Sequence, residues 1–302
     1  MGEQFLTVVM PVYNRVHTVK NALASILNQT YPHFELIIVD DASKDGTRSI
    51  VESFDDPRIR LIAHAATMGA PAARNTGILA AKSEWIAFQD SDDEWLPTKL
   101  EKQVQALQNA VFDKKTVVYT GFYRFRGEQR EYIPAKAIIN KSGMIHEELL
   151  LGNFISTQTI LVSKAALEEV GGFDENMPRF QDWELCLRLS QKHPFLLVDE
   201  PLVHVHYTEQ SISASQSKLV DAYALVLKKH KALFQAAGKK QMGRLQFSYG
   251  HNLCLLGEIR KGRKQLLHSI KNYPYSIKTA ASIGASLLGS RFYNSLYRRL
   301  KN

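Results

Sequence analysis

Short apolar runs separated by helix-patterned stretches organise the first third of this chain, and few folds accommodate that pattern. Leu6–Met10, Glu35–Val39, Arg58–Ala63 and Glu84–Phe88 read as strands. Thr18–Gln29, Thr47–Ser53, Ala70–Ala81 and then Thr98–Asn109 read as helices. In the first of these, Leu23, Ile26 and Leu27 share a face. Asp45-Gly46-Thr47 is a turn leading into a helix, and Pro97 suits the first turn of the next one. Because parallel strands need crossovers, this alternation predicts an α/β fold with a mostly parallel central sheet and helices on both faces.

The middle of the chain changes character. Val117–Phe125 is β-rich, and a polar loop is expected from there to about Ser142. Ile155–Val162 reads as a strand, Gly171-Gly172 as a break, and Asp182–Gln191 as an amphipathic helix. Phe195–Val198 and Leu202–Tyr207 read as two short strands. From Lys218 onward the pattern is helical, with interruptions expected at Gly238, Gly262, Pro274 and Gly289. The expected organisation is one domain over residues 1–216 and an α-helical basic C-terminal extension over 217–302.

Charge follows the same division. Residues 217–302 carry 17 Lys and Arg against two acids, a net +15, whereas residues 1–216 carry 21 against 28, a net −7. Such asymmetry suits a tail that meets a polyanion, or else a solvated helical face. Ile277, Ile283, Leu287, Leu288, Phe292 and Leu296 intersperse with Lys278, Arg291, Arg298, Arg299 and Lys301. A basic amphipathic segment of this kind can lie on an anionic membrane surface, or pack on the rest of the protein or on a second copy in a homodimer. Only two cysteines occur, Cys186 and Cys254, which fits a reducing compartment and argues against a disulfide framework. No secretory signal is read at the N-terminus, and no apolar stretch reaches the roughly 20 residues of a spanning helix. The expected location is cytoplasmic, peripheral on the cytoplasmic face of the membrane if the tail binds there.

Two apolar runs end in carboxylates. Phe34–Val39 leads into Asp40-Asp41, and Trp85–Phe88 leads into Gln89-Asp90-Ser91-Asp92-Asp93. In open α/β sheets ligands bind outside the carboxyl ends of the strands. In extended chain Asp90 and Asp92 share a face, so both can reach one cation. Hard oxygen donors suit Mn²⁺ or Mg²⁺, which keep waters and phosphates as further ligands; the other reading is helix capping. Asp40 and Asp41 suit turn chemistry or hydrogen bonds to a base or ribose. Arg74 lies in a small-residue segment opening a helix, where it makes a salt bridge or meets a ligand. Asp182 and Glu184 favour a helix N-terminus, and a carboxylate there can also act as a general base. His204 and His206 share a strand face, and His206 is a candidate phosphate contact. The chain has no Gly-x-x-x-x-Gly-Lys-Ser/Thr loop, no Gly-x-Gly-x-x-Gly fingerprint and no Gly-x-Ser-x-Gly elbow. Kinase, dehydrogenase and hydrolase readings are weakened accordingly.

Taken in order, six segments resemble family 2 glycosyltransferases with the GT-A fold. They are Val8–Arg15, Ile38–Thr47, Ala73–Gly77, Phe88–Pro97, Gly171–Glu175 and Gln181–Leu185. The resemblance covers roughly Phe5 to Ser213. It implies inverting transfer of a sugar from a nucleoside diphosphate sugar, UDP by default, to a hydroxyl acceptor. The product would be a cell-surface polysaccharide or glycolipid, the acceptor a glycan or lipid-linked sugar. It also implies that Asp40 binds the nucleobase with Asp41, Tyr13, Arg74 and the backbone near Pro11. Asp90 and Asp92 match the family's Asp-x-Asp, which holds ribose, metal and diphosphate. Asp182 matches the catalytic base. Gly172, Trp183 and Glu184, with the loop Asn153–Thr159, belong to the acceptor side. Two positions depart from the pattern: Gln181 stands where Glu is frequent, and His206 where Arg is common, which makes that diphosphate contact weaker or pH-dependent.

Two competing readings follow. A sugar nucleotidyltransferase of related fold would need a Gly-rich basic loop after the first strand, where this chain has Pro11-Val12-Tyr13-Asn14-Arg15. A non-enzymatic protein gripping a polyanion through the tail leaves the Asp-x-Asp cluster unexplained. No nucleic-acid partner is expected.

Overall fold

The computed structural model describes residues 4–206 and 215–299. They form two compact units. The first holds residues 4–149, 153–176 and 181–206; the second holds 150–152, 177–180 and 215–299.

The first unit is built on a nine-stranded sheet. Strands β1 (Leu6–Val12), β2 (Phe34–Asp40), β3 (Ile59–Ala63) and β4 (Trp85–Phe88) are parallel, in the order β3-β2-β1-β4. Helices α1 (Val19–Leu27), α2 (Thr47–Glu52) and α3 (Ala70–Ala80) supply the crossovers. β1 and β2 are buried along their whole length, as strands covered on both faces are. Pro11 lies beyond the β1–β4 pairing, which ends at Val9 and Phe88, so its missing N–H takes no bond from that ladder. β5 (Glu94–Trp95) and α4 (Lys99–Asn109) follow.

The rest of the sheet is mixed. β6 (Val117–Arg126) pairs antiparallel with β7 (Gln129–Ile133), and β8 (Ile160–Ser163) joins β4 to β6 by antiparallel pairing. β9 (Phe195–His206) runs parallel to β6 and pairs antiparallel with β5. Helices α5 (His146–Leu151), whose last two residues are counted in the second unit, α6 (Lys164–Val170) and α7 (Gln181–Leu189) complete the connections.

The structure departs from the sequence reading in four places. β7 falls within the expected polar loop; Gly127-Glu128 is a two-residue turn with Gly127 at φ 58°, and β7's mostly polar composition hides its strand character. The two short strands expected before Tyr207 are one strand, β9, whose register slips against Thr120–Phe122 where Asp199-Glu200-Pro201 intervene. Tyr207 itself lies outside the described residues. The strand expected from Ile155 begins only at Ile160, because Thr157–Thr159 coil into a 3₁₀ turn closed by Thr159 Oγ1 on Ser156 O at 2.6 Å.

The fourth departure is in the second unit, which is helical: α8 (Gln216–Lys229), α9 (Lys231–Ala237), α10 (Lys239–Leu255), α11 (Ile259–Asn272), α12 (Ile277–Leu287) and α13 (Gly289–Arg299). α11 runs through Gly262, where an interruption was expected. A Cβ there would meet Cys254 Sγ at 2.4 Å and Gly250 O at 2.7 Å. Gly262 thus serves close helix packing, and the break falls at Gly257, φ 95°. Cys254, Leu266, Ala285 and Tyr293 form the local core. Among the described residues no helix is long and apolar enough to cross a membrane.

Candidate active site

The loops after β1 and β2 knit together before any ligand is considered. Asn14 N donates to Ser43 Oγ (3.0 Å), Lys44 N to Asn14 Oδ1 (2.9 Å), and Val16 N to Asp45 Oδ2 (3.1 Å). Arg15 N donates to Thr47 Oγ1 at 2.6 Å. Asn14 and Ala42 hold positive φ at these corners, 51° and 64°. Tyr13 stands out from this frame, exposed.

Asp40 ends β2, is 3% exposed, and accepts from Ser43 N at 3.1 Å. Asp41, 2% exposed, is fully engaged within the chain. Its Oδ1 meets Met68 N (2.8 Å) and His64 Nδ1 (2.7 Å), and its Oδ2 meets Gly69 N (2.7 Å). Asp41 therefore fixes the segment that opens α3, and Asp40 is the better placed of the two to face a ligand.

Arg74 on α3 is the hub. It donates through Nη2 to Asp90 Oδ1 (2.6 Å) and through Nη1 to Gln181 Oε1 (2.7 Å). Its guanidinium lies 5.3 Å from the Phe173 ring centroid, and Phe173 packs edge-on against Phe88 of β4 at 5.2 Å. One buried arginine thus connects the end of β4, the Gly171–Glu175 segment and the start of α7. The neighbouring Asn75 completes the link: Phe173 N donates to its Oδ1 (2.8 Å), and its Nδ2 donates to Phe173 O (2.9 Å) and Glu175 Oε1 (2.9 Å). Gly172 sits at φ 65°, and a Cβ there would come within 2.7 Å of Asn75 Oδ1. The Asn75 contact was not anticipated, although the residue stands in the motif beside Arg74.

Asp92 lies 3.7 Å from Arg15 Nη2, an ion pair the sequence reading missed. Burial and then the charge of Asp90 push the Asp92 carboxyl above the usual carboxylate range, against the opposing pull of Arg15. Asp93 bonds to other elements. It accepts from His206 N (2.9 Å) and from Gln158 Nε2, and burial holds its carboxyl well above the ordinary value. The strand-end loop is thereby tied to β9. The His206 ring stacks on Phe125 at 5.3 Å, with 16° between planes, so this ring packs as an aromatic and its main chain braces Asp93.

Asp182 sits in the first turn of α7, where its Oδ1 accepts from Trp183 N at 2.7 Å. Burial, then the charge of Asp90, raise its pKa; the Trp183 amide, Arg74 and the Asn153 side chain oppose that rise. Arg74 bonds both Asp90 and Gln181, the residue before Asp182, so one guanidinium links the Asp90 carboxylate to the helix start that carries Asp182. Trp183 and Glu184 turn elsewhere. Trp183 Nε1 donates to Leu149 O (2.7 Å), and Glu184 is buried in a bidentate pair with Arg188 (2.6 Å and 2.9 Å). They anchor α7 and so hold Asp182 in place.

The donor set suits a hard divalent cation. Asp90 pairs with Arg74 and Asp92 with Arg15, and burial, then the charge of Asp90, raises the proton affinity of Asp92. Among the described residues no group of three or more His, Cys, Asp or Glu could hold a metal alone. Two carboxylates fit the manner in which Mg²⁺ and Mn²⁺ bind, with water and substrate phosphate filling the remaining positions.

Residues 7–171 match the sequence model of glycosyl transferase family 2. TuaG of Bacillus subtilis, assigned to teichuronic acid biosynthesis as a glycosyltransferase, is 41% identical over 220 residues, 70% of this chain and 83% of that protein. WfgD of Escherichia coli, a UDP-Glc:α-D-GlcNAc-diphosphoundecaprenol β-1,3-glucosyltransferase, is 42% identical over 107 residues. That match spans 35% of this chain and 42% of WfgD. Among solved structures, the mannosyltransferase PcManGT of Pyrobaculum calidifontis, in complex with GDP-Man and Mn²⁺, superposes with a TM-score of 0.62 at 19% identity. The superposition covers 98% of this chain and 84% of that one. The chain belongs to glycosyl transferase family 2 and has the GT-A fold with a helical C-terminal extension.

Proposed function

We propose that this protein is an inverting glycosyltransferase that moves a sugar from a nucleoside diphosphate sugar, UDP by default, to a hydroxyl on a glycan or lipid-linked acceptor. The observation that carries the reading is the Arg74 hub, which connects the Asp90 carboxylate to the helix start bearing Asp182. TuaG and WfgD, related along much or part of this chain, support a product of the cell surface.

Asp40, with Tyr13 and the backbone at Pro11, takes the nucleobase. Asp90 and Asp92 hold a divalent cation, Mn²⁺ or Mg²⁺, which when bound supplies charge neutralisation to the departing diphosphate. Arg74 keeps Asp90 oriented and holds Gln181 in position beside Asp182. Gly172 and its segment line the acceptor side. Asp182 takes the proton of the attacking hydroxyl as the new bond to the anomeric carbon forms on the face opposite the leaving group. Its raised proton affinity makes it a stronger base than an exposed carboxylate. Fixing donor and acceptor in line contributes much of the remaining acceleration.

Asp182→Asn should bind donor as the wild type does and lose turnover by about 10²-fold or more. Near-normal turnover with intact donor binding would remove Asp182 from the role of base. The basic helical extension is proposed to rest on the anionic cytoplasmic face of the membrane, which suits a lipid-linked acceptor.

A further inference from the structure

The helical unit contains a pocket of about 440 Å³, lined by α8, α9, α10 and α11. Four basic side chains border it: Lys228, Lys231, Lys239 and His268. Neither of the acids found from residue 217 onward, Asp221 and Glu258, lines it. None of the three lysines makes an ion pair among the described residues. Ala224, Leu227 and Met242 form an apolar side to the same pocket.

Two further features make this more than a scatter of surface lysines. α10 begins at this wall, with Gly238 as its N-cap, no side-chain cap and no acid in its first turn. Lys239 and Lys240 instead occupy the positive end of a helix dipole, an unfavourable placement unless an anion offsets it. Gln246, one side of the wall, is 9% exposed. Its Oε1 accepts from Asn272 Nδ2 at 2.8 Å, and its Nε2 has no hydrogen-bond partner among the described residues.

We infer that this pocket binds a phosphate ester: the phosphate at the lysines and the α10 N-terminus, the attached neutral group against Met242 and Leu227. This site is separate from the sugar-transfer reading and stands or falls independently of it. The same phosphate ester chemistry is presented by a glycerophospholipid headgroup and by a soluble phosphate ester.

Glycerol 3-phosphate, titrated calorimetrically into the full-length protein, is the solution probe; vesicles of phosphatidylcholine with and without phosphatidylglycerol are the lipid probe. K228E/K231E should abolish saturable glycerol phosphate binding, and K228Q/K231Q should weaken it by about fivefold per lysine. K20E/K136E, which changes the charge by the same amount at exposed positions outside the helical extension and the pocket, should bind as wild type. Circular dichroism establishes that the variants are folded. Loss of vesicle sedimentation in the pocket variants alone assigns the site to a lipid headgroup. Unchanged sedimentation with lost solution binding assigns it to a soluble ester. Absence of saturable binding by the wild type, or equal loss in pocket and control variants, overturns the site.

Discussion

At the scale of single residues, the side chains proposed to face a ligand differ in their bonding from those that hold the frame. Asp40 and Asp41 are adjacent, yet Asp41 spends both oxygens on Met68, Gly69 and His64, whereas Asp40 accepts one backbone bond from Ser43. Trp183 and Glu184 likewise anchor α7 beside Asp182. The pH behaviour follows from Asp182. Its pKa is raised by burial and by Asp90, and a base must be ionised, so kcat/KM should fall with acid at a pH above the ordinary aspartate value of about 3.9. The Asn153 hydrogen bond lowers that pKa. Asn153→Ala should therefore move the acid limb to higher pH, as read from a pH–rate profile; an unmoved limb would mean that another group sets it.

At the scale of elements, the alternating half was legible because each strand is a short buried run and each crossover carries its own start signal. β7 was not, since four of its five residues, Gln129, Arg130, Glu131 and Tyr132, carry polar groups and its pairing depends on a turn at Gly127. Gly262 was misread for a related reason: a glycine that breaks a helix and one that admits a neighbouring helix look alike in sequence. Asp-x-Asp and the Gln181-Asp182 helix start could be read as candidates from residue type and place, but the Arg74 and Asn75 bridges join positions about 100 apart and needed the fold. Gly77 shows how tightly α3 is held to the sheet. A Cβ there would lie 2.3 Å from Val9 Cγ1 of β1. Gly77→Ala should lower stability by about 1–3 kcal/mol in denaturant unfolding, with the effect passed to Arg74 one turn earlier as weaker donor binding. A neutral effect would show that α3 can slide on β1 at little cost.

At the scale of the whole molecule, charge is divided as the sequence is, with net −7 before residue 217 and +15 after it. Surface electrostatics of that kind is screened within about 8 Å at physiological ionic strength. Sedimentation with anionic vesicles should thus be strong at low salt, fall as salt rises, and be absent with neutral vesicles. Retention in high salt would mean that apolar insertion, through side chains such as Ile277, Leu287 and Leu288, dominates instead. The candidate site belongs to the other unit, where Asp40 ends β2, Asp90 and Asp92 follow β4, and Arg74 joins Asp90 to the helix start bearing Asp182.

That gathering is tested most directly by thermal unfolding with UDP, GDP and their sugars, each with and without Mn²⁺, in the wild type and in Asp92→Ala. A ligand that binds the folded state raises the melting temperature by mass action. A Mn²⁺-dependent rise with one nucleotide, lost in Asp92→Ala, is the predicted result. No rise with any nucleotide, or a rise that is unchanged in Asp92→Ala, would contradict the donor site described here.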